Sequence, residues 1–287
     1  MKKIILIETS TSLCSVALAE DGAVTAYRES SAPKAHASLT AVFIQEVLEE
    51  RGLKLADCDA VCVSKGPGSY TGLRVGVSTA KGLCFGSGKP LLAVGTLDTL
   101  VAQSTEVEIP GQAGNDDKAG NDDKDGNDDK AGNDDKDGND DKAGNDDKDG
   151  NDDKDGNDDK DGNDYKDGNG WKYIIPMIDA RRMEVYSAVF TPDGRQISET
   201  TPVIVDENSF ADYMSEGQVL FIGDGAGKCA DVIKHPNAIF CQCNPKASAM
   251  LRPAVNAYEK KQFEDTAYFE PFYLKEFVAT VSKKKLF

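Results

Sequence analysis

The chain has 287 residues, of which 39% are hydrophobic and 29% are charged, and its formal net charge at pH 7 is −17. Residues 113–170 carry 14 of those net negative charges, so the rest of the chain is close to neutral. A near-neutral body predicts no basic face of the kind that binds RNA, and no apolar run approaches the length that spans a membrane.

The residues outside 113–170 are enough for one large domain or two small ones. Only four apolar residues, at positions 4–7, follow the N-terminal Met-Lys-Lys, which predicts no secretory signal peptide. Without such a signal, the seven cysteines are expected to be reduced thiols of a cytoplasmic protein. The spacing of Cys241 and Cys243 is not that of a standard zinc site.

Apolar runs and helical periodicity predict the elements of the first half. Their order, three strands followed by alternating helices and strands, favours a mixed sheet covered by helices, which is an α/β fold. Gly22 marks a hairpin turn, and Gly52 ends the first helix. The predicted strands are residues 4–7, 14–19, 23–27, 60–64 and 91–94, and the predicted helices begin at 37, 72 and 96 and run to 51, 85 and 103.

A glycine-rich loop at residues 66–76, with the sequence Gly-Pro-Gly-Ser-Tyr-Thr-Gly-Leu-Arg-Val-Gly, joins a predicted strand to a predicted helix. Glycine permits positive φ and close backbone approach, and free N–H groups ahead of a helix form a natural anion site. The alternative is a tight strand-to-helix connection without a ligand. The candidate residues in this loop are Gly66, Gly68, Ser69, Gly72 and Arg74.

Residues 113–166 repeat a six-residue unit nine times, as AGNDDK or DGNDDK with a final DGNDYK. Gly, Asn and Asp favour turns and no apolar residue recurs to build a core, which predicts a disordered low-complexity insertion over residues 113–170. The repeat contains the D-x-D-x-N start of a calcium-binding loop, but Asp158 stands where such a loop requires glycine. A solvated spacer is therefore expected rather than a calcium site.

A second unit follows the insertion. Its strands are predicted at residues 173–178, 184–190, 202–205 and 219–222, and its helix at 246–259. The predicted organisation is an N-terminal lobe at residues 1–112, an insertion at 113–170 and a C-terminal lobe at 171–287.

Four blocks of sequence resemble the TsaB (YeaZ) family, in the family's order and in both halves of the chain. The first is Ile-Glu-Thr-Ser-Thr-Ser-x-Cys-Ser-Val-Ala-Leu at residues 7–18, and the second is Gly-Pro-Gly-Ser-Tyr-Thr-Gly-Leu-Arg at 66–74. The third is Ile-Asp-Ala-Arg-Arg-Met-Glu-Val-Tyr at 178–186, and the fourth is Pro-Phe-Tyr-Leu-Lys at 271–275. Each block alone would be weak, but together they are highly specific, whereas the repeat has no counterpart in the family pattern.

The resemblance implies a two-lobed actin-like ATPase (ribonuclease H-like) fold with mixed sheets flanked by helices. It also implies a role in making N6-threonylcarbamoyladenosine at position 37 of tRNAs that read codons beginning with A. In that role the chain is a non-catalytic scaffold that activates the catalytic subunit TsaD. The further partners implied are a TsaE-like ATPase, a second copy of the chain and tRNA through the complex, and no cofactor or metal is expected.

The resemblance also allows the metal-binding residues of TsaD to be compared with this chain. TsaD carries a His-Leu-Glu-Gly-His metal motif, and this chain has Thr-Leu-Asp-Thr-Leu at the corresponding residues 96–100. Thr96 and Leu100 cannot replace two neutral imidazole ligands on one helix face. His36 is expected to be a turn or surface histidine, and His235 precedes a proline in a polar loop. These residues argue against a glycoprotease-like peptidase.

A weak ATPase is the other catalytic alternative, because actin-like ATPases hold magnesium with one acidic residue from each lobe. Glu8 could fill the first position, with Thr9 facing a phosphate, and Asp179 could fill the second. The interpretation that we favour is a solvated strand-end Glu8 and an Asp179 that caps a turn. An ATPase assay with Glu8→Ala and Asp179→Ala controls separates the two interpretations.

The helices predicted from residues 37 and 72 are the expected partner surface, because the resemblance implies that they form a helical bundle with TsaD or with a second copy. Their outer stripe is predicted to include Leu39, Phe43 and Val77. Alanine at Phe43 should then weaken TsaD association while leaving the fold largely intact. The alternative is that both helices only cover their own sheet.

Overall fold

A computed structural model describes residues 2–107 and 170–275, which lie in one compact unit. These residues form two five-stranded mixed sheets with helices packed against them, which confirms the predicted fold class. The predicted insertion lies outside the described residues, apart from Gly170. No helix within the two described ranges combines the length and the apolar character needed to cross a membrane.

The first sheet is built from the N-terminal apolar runs. β1 (Lys3–Glu8), β2 (Cys14–Glu20) and β3 (Ala23–Ser30) form an antiparallel meander. β4 (Ala60–Gly66) and β5 (Leu91–Gly95) extend it in parallel, in the order β3-β2-β1-β4-β5. The helices of this half are α1 (Ala35–Glu50), α2 (Tyr70–Ser87) and α3 (Thr96–Gln103).

The second sheet repeats the connectivity of the first. β6 (Tyr173–Asp179), β7 (Glu184–Ser187) and β8 (Thr201–Ile204) form a meander, and β9 (Val219–Gly223) and β10 (Ala238–Gln242) extend it in parallel. The helices are α4 (Ala211–Glu216), α5 (Ala226–Ala230) and α6 (Leu251–Glu259). The turn after β1 therefore corresponds to the turn after β6, and the glycine-rich loop after β4 to the turn after β9.

Both faces of the first sheet are covered, which explains why β1 is a continuous apolar run rather than an alternating one. Ile5 and Ile7 face the core under α1 and α2, whereas Ile4 and Leu6 face the opposite core. That opposite core is closed by α6 and by the short 3-10 helix before it, Ala247–Met250. The period of two along the strand thus serves two separate hydrophobic layers.

Most of these elements are at the positions that the sequence predicts, but three helices and strands were not predicted and one strand is shorter. The missed elements are α4, α5 and β10, which are only five or six residues long and have no strong periodic pattern. β7 ends at Ser187 rather than at residue 190. α6 packs on the first sheet although it lies in the predicted C-terminal lobe; the division at residues 112 and 171 itself stays a prediction.

The described residues that precede the insertion lie close to those that follow it. Ser104 and Thr105, shortly before the insertion, line a cavity of about 390 Å³ together with Gly170 and Trp171, directly after it. Because the two ends lie together, a long segment can be accommodated here without separating the sheets, and loop-closure entropy grows only slowly with its length.

Candidate functional site

The glycine-rich loop packs directly on the turn that follows β1. A Cβ at Gly68 would lie within 3.0 Å of the Ser10 backbone, and one at Gly72 within 3.0 Å of the Thr9 carbonyl oxygen, which real Cβ atoms essentially never do. Gly66 has φ 104°, in the region that favours glycine. The loop therefore needs glycine at these positions so that two backbone segments can touch.

Two N–H groups of this loop are bonded within the chain. The Ser69 N–H donates to the Ser10 carbonyl oxygen at 2.6 Å, and the Ser69 hydroxyl oxygen accepts from the Gly72 N–H at 3.3 Å as the N-cap of α2. The Thr9 hydroxyl donates to the Gly72 carbonyl oxygen at 2.9 Å. These bonds favour a tight strand-to-helix connection at Ser69 and Gly72, and the anion site stays a prediction.

Glu8 lies at the end of β1 with 0% of its surface exposed. Its Oε1 accepts from the Ser10 N–H at 2.7 Å and from the Ser64 hydroxyl at 2.8 Å. Its Oε2 is buried and has no hydrogen-bond partner within the described residues. Burial raises the pKa of Glu8, and the hydrogen bonds from Ser10 and Ser64 offset part of that rise. The expectation of a solvated strand-end glutamate is therefore wrong.

The buried carboxyl of Glu8 should make stability depend on pH. Because the pKa of Glu8 is raised in the fold, Glu8 contributes to the free energy of unfolding. This contribution is fully present below the ordinary pKa of 4.5 and is lost as the pH rises through the folded-state pKa. Glutamine keeps an oxygen acceptor and carries no charge. We expect Glu8→Gln to remove this part of the decrease in melting temperature above pH 4.5.

Glu20→Gln is the control for that series. Hydrogen bonds from Thr25 and Arg51 lower the pKa of Glu20, so its contribution to the free energy of unfolding is lost as the pH falls. Melting temperatures of the three proteins between pH 4 and pH 8 (about the range in which carboxyl groups with raised pKa values titrate) test the sign. Parallel curves for wild type and Glu8→Gln would contradict a buried, proton-binding Glu8.

Asp179 occupies the corresponding position at the end of β6. Its N–H donates to Asp224 Oδ1 at 2.8 Å, and its carboxylate accepts from the Arg181 N–H at 2.8 Å and pairs with Lys228. Burial raises the pKa of Asp224 to about 6. Asp179 thus caps its turn, and its hydrogen-bond network shares no residue with that of Glu8. The alternative that both carboxylates hold magnesium stays a prediction.

Buried side chains that are not metal ligands occupy the two positions at which TsaD carries the histidines of its metal motif. Thr96 and Leu100 are both fully buried at the start of α3. His36 is half-buried inside α1 rather than in the turn before it. Within residues 2–107 and 170–275, no group of three or more His, Cys, Asp or Glu side chains is placed to hold a metal ion.

Residues 271–275, here called the strap, connect the glycine-rich loop to the second sheet. The Phe272 N–H donates to the Lys65 carbonyl oxygen at 2.7 Å. The ring of Tyr273 lies 4.9 Å from that of Tyr70 at the start of α2. At the far end, Lys275 pairs with Glu184 of β7. No local sequence pattern indicates these contacts, because they join residues that are 91 to about 200 positions apart.

Arg74 is exposed on α2, and its guanidinium lies 4.4 Å from the centre of the Tyr70 ring. It therefore stacks beside the strap and does not face Glu8. Of the predicted loop residues, Gly66, Gly68, Ser69 and Gly72 meet the β1 turn or the strap, whereas Arg74 points to the surface.

Two residues of the predicted partner surface lie in the core. Phe43 and Val77 are 8% and 3% exposed and belong to the cluster beneath α1 and α2, so the prediction that they form an outer stripe is wrong. Their helices use these positions to cover the first sheet. Leu39 is partly buried against the same cluster.

The exposed apolar residues on these helices are Val42, which is 43% exposed, and Phe85, which is 89% exposed. Sequence reasoning missed Phe85, although the buried series Leu73, Val77 and Ala80 places it outside the buried face of α2.

Comparison with known proteins finds similarity to the same proteins over part of the chain. A family model described as TsaD, tRNA N6-adenosine threonylcarbamoyltransferase, matches residues 29–112. The tRNA threonylcarbamoyladenosine biosynthesis protein TsaB of Escherichia coli is 40% identical over 98 residues, which are 34% of this chain and 42% of that protein. TsaB of Haemophilus influenzae is 36% identical over 104 residues, which are 36% and 44%. The chain is similar over about a third of its length to proteins of the TsaB (YeaZ) family.

A solved structure extends the similarity from sequence to fold. YeaZ from Pseudomonas aeruginosa superposes with a TM-score of 0.65 at 21% identity, covering 96% of this chain and 100% of that one. At that identity the likeness shows the fold alone. The sequence matches span less than half the length of the curated TsaB relatives, at 42% and 44%.

Proposed function

We propose that the chain is a non-catalytic partner of a TsaD-type threonylcarbamoyltransferase in forming N6-threonylcarbamoyladenosine at position 37 of tRNAs that read codons beginning with A. The observation that carries this proposal is the pairing of TsaB-family sequence with buried Thr96 and Leu100 at the position of the TsaD metal motif. The chain then acts by binding, in the cytoplasm, with a TsaE-like ATPase and a second copy of itself as further candidate partners.

The binding surface that we propose is the outer side of α1 and α2. A groove of about 610 Å³ opens between the C-terminal halves of these helices. Apolar side chains line it, including Ile44, Leu48, Leu53, Leu55 and Leu83. The occupant that we propose is the matching helix pair of a TsaD-type subunit, because a TsaD family model matches residues 29–112, the segment that contains both helices. Burial of this apolar surface would drive the association.

Phe85 is the side chain that we expect to matter most for this association. It is 89% exposed on α2, so Phe85→Ala removes apolar contact area from a partner without opening a cavity in the chain. We expect the dissociation constant of the Phe85→Ala protein for TsaD to be about tenfold larger, a loss of about 1.4 kcal/mol of binding free energy. Its melting temperature should be unchanged. Titration of purified TsaD by isothermal calorimetry gives the affinity.

Ile204→Ala is the matched control, because Ile204 is 75% exposed on β8 of the second sheet, away from both helices. Its TsaD affinity should equal that of wild type. Equal affinities for all three proteins would show that Phe85 lies outside the interface.

Reconstitution of the tRNA modification tests the proposed function as a whole. TsaD, TsaE and the threonylcarbamoyl donor are incubated with tRNA, with and without this chain. Modification that requires the chain supports the proposal, and equal modification without it contradicts the proposal. An ATPase assay on the chain alone, with Glu8→Ala and Asp179→Ala, tests the alternative of a weak ATPase, while peptide hydrolysis tests the glycoprotease-like alternative.

A further inference from the structure

The turn between β6 and β7 holds two consecutive arginines in the left-handed region, with φ 72° at Arg181 and 51° at Arg182. A left-handed residue other than glycine costs about 1–2 kcal/mol, and hairpin turns with such angles commonly use Asn or Gly. Strain of this kind persists only where neighbouring groups enforce it, and it clusters at functional sites. Here Lys228 enforces it, because its ammonium donates to the carbonyl oxygens of Arg182 and Glu184, both at 2.7 Å.

The carboxylates around this turn are already occupied. Asp179 pairs with Lys228, and Glu184 pairs with Lys275. Asp224 lies behind the turn, where its carboxylate accepts the Asp179 N–H. These contacts leave the two arginine side chains as the unneutralised charges of the turn.

Arg181 and Arg182 are exposed, and neither side chain forms a hydrogen bond or an ion pair with any residue that the structure describes. Two other arginines are held by glutamates. Arg28 pairs with two glutamates of α1, and Arg51 pairs with Glu20. The turn therefore presents two guanidinium groups to solvent from a backbone that Lys228 holds in place.

The strap reaches this turn and carries aromatic rings. Lys275 reaches β7 through Glu184, and the ring of Phe272 is partly exposed. Beyond Tyr273, Arg74 stacks on the ring of Tyr70. Guanidinium groups interleaved with aromatic rings are the combination that binds RNA backbone and unpaired bases.

We propose that Arg181 and Arg182 bind the phosphodiester backbone of RNA, with the strap and Arg74 beside them. This inference rests on the proposed function, which makes tRNA the RNA concerned. The planar guanidinium offers paired N–H donors that match phosphate oxygens, and a turn held in one conformation loses little entropy on binding. The near-neutral charge outside residues 113–170 predicts no extended basic face, and the surface proposed here is a single turn with two arginines.

The test is the affinity of the full chain, alone and with TsaD, for an unmodified tRNA transcript, measured by fluorescence anisotropy at several salt concentrations. Each lost phosphate contact weakens binding about fivefold near 0.15 M salt and lowers the slope of log K against log salt by about one. The double variant R181Q/R182Q should therefore bind about 30-fold more weakly, with a slope lower by about two. R195Q/K234Q removes two exposed charges elsewhere on the second lobe, and its affinity should change by less than about twofold.

Three results would overturn the inference: wild-type affinity in R181Q/R182Q, equal weakening in both double variants, or no salt-dependent tRNA binding by wild type in either setting. Loss of TsaD binding by R181Q/R182Q with unchanged tRNA affinity would also overturn it, by assigning the arginines to carboxylates of a protein partner. The reconstituted tRNA modification assay distinguishes failure of this inference from failure of the proposed function. If wild type supports modification and only the arginine result is negative, the inference alone fails; if wild type supports none, the proposed function fails.

Discussion

Gly72→Ala is expected to destabilise the fold by at least about 3 kcal/mol, the upper end of the usual range for overpacking. The new methyl group would lie far inside contact distance of the Thr9 carbonyl oxygen, and that atom belongs to backbone. A side chain could rotate away, but the turn after β1 cannot, because the Ser69 N–H and the Thr9 hydroxyl bind it to the same loop. The melting temperature should fall by about 6–12 °C for a protein of this size.

Gly82→Ala is the matched control within the same helix. A Cβ at Gly82 would meet nothing within 4 Å, so alanine there has only its higher helix propensity to contribute. We expect a gain of up to about 1 kcal/mol. Thermal unfolding followed by circular dichroism measures both variants. A Gly72→Ala protein as stable as Gly82→Ala would show that the loop does not touch the β1 turn.

The strands were predictable from sequence because their signal is local. β1 and β4 are apolar runs bounded by turn residues, and the antiparallel pair β2 and β3 is joined by a glycine turn. The glycine-rich loop was also recognisable, and its two interpretations could be stated. What the sequence could not decide was whether the Ser69 N–H was free, because its acceptor is Ser10, some sixty residues earlier in the chain.

The burial of Glu8 shows a second limit. A glutamate at a strand end is usually exposed, and nothing adjacent in sequence indicates otherwise. Its hydrogen bond to the Ser64 hydroxyl depends on the parallel pairing of β1 with β4, which is a property of the whole sheet. Arg181 and Arg182 also could not be recognised from local sequence. Nearby carboxylates could have paired with them, but Lys228 and Lys275 bind those carboxylates instead.

Phe43→Ala is expected to destabilise the fold by about 3–5 kcal/mol, the usual cost of truncating a buried phenylalanine. Helical spacing placed Phe43 among several apolar residues of α1 but could not tell which of them faced the sheet, because apolar residues occur on more than one side of that helix. The structure puts its ring in the cluster with Val16, Val47 and Val77. Truncation therefore leaves a cavity under α1, and the melting temperature should fall by about 10 °C.

Val42→Ala separates a core effect from an interface effect at the neighbouring position. Val42 is 43% exposed, so its truncation should change stability by no more than about 0.5 kcal/mol. Chemical unfolding of both variants, together with TsaD titration at a temperature where both are folded, gives the two quantities independently. A Phe43→Ala protein with wild-type stability and lost TsaD affinity would return Phe43 to the outer surface of α1. Lost stability with retained affinity in the folded fraction would place it in the core, where its packing against β2 supports the helix that carries the proposed interface.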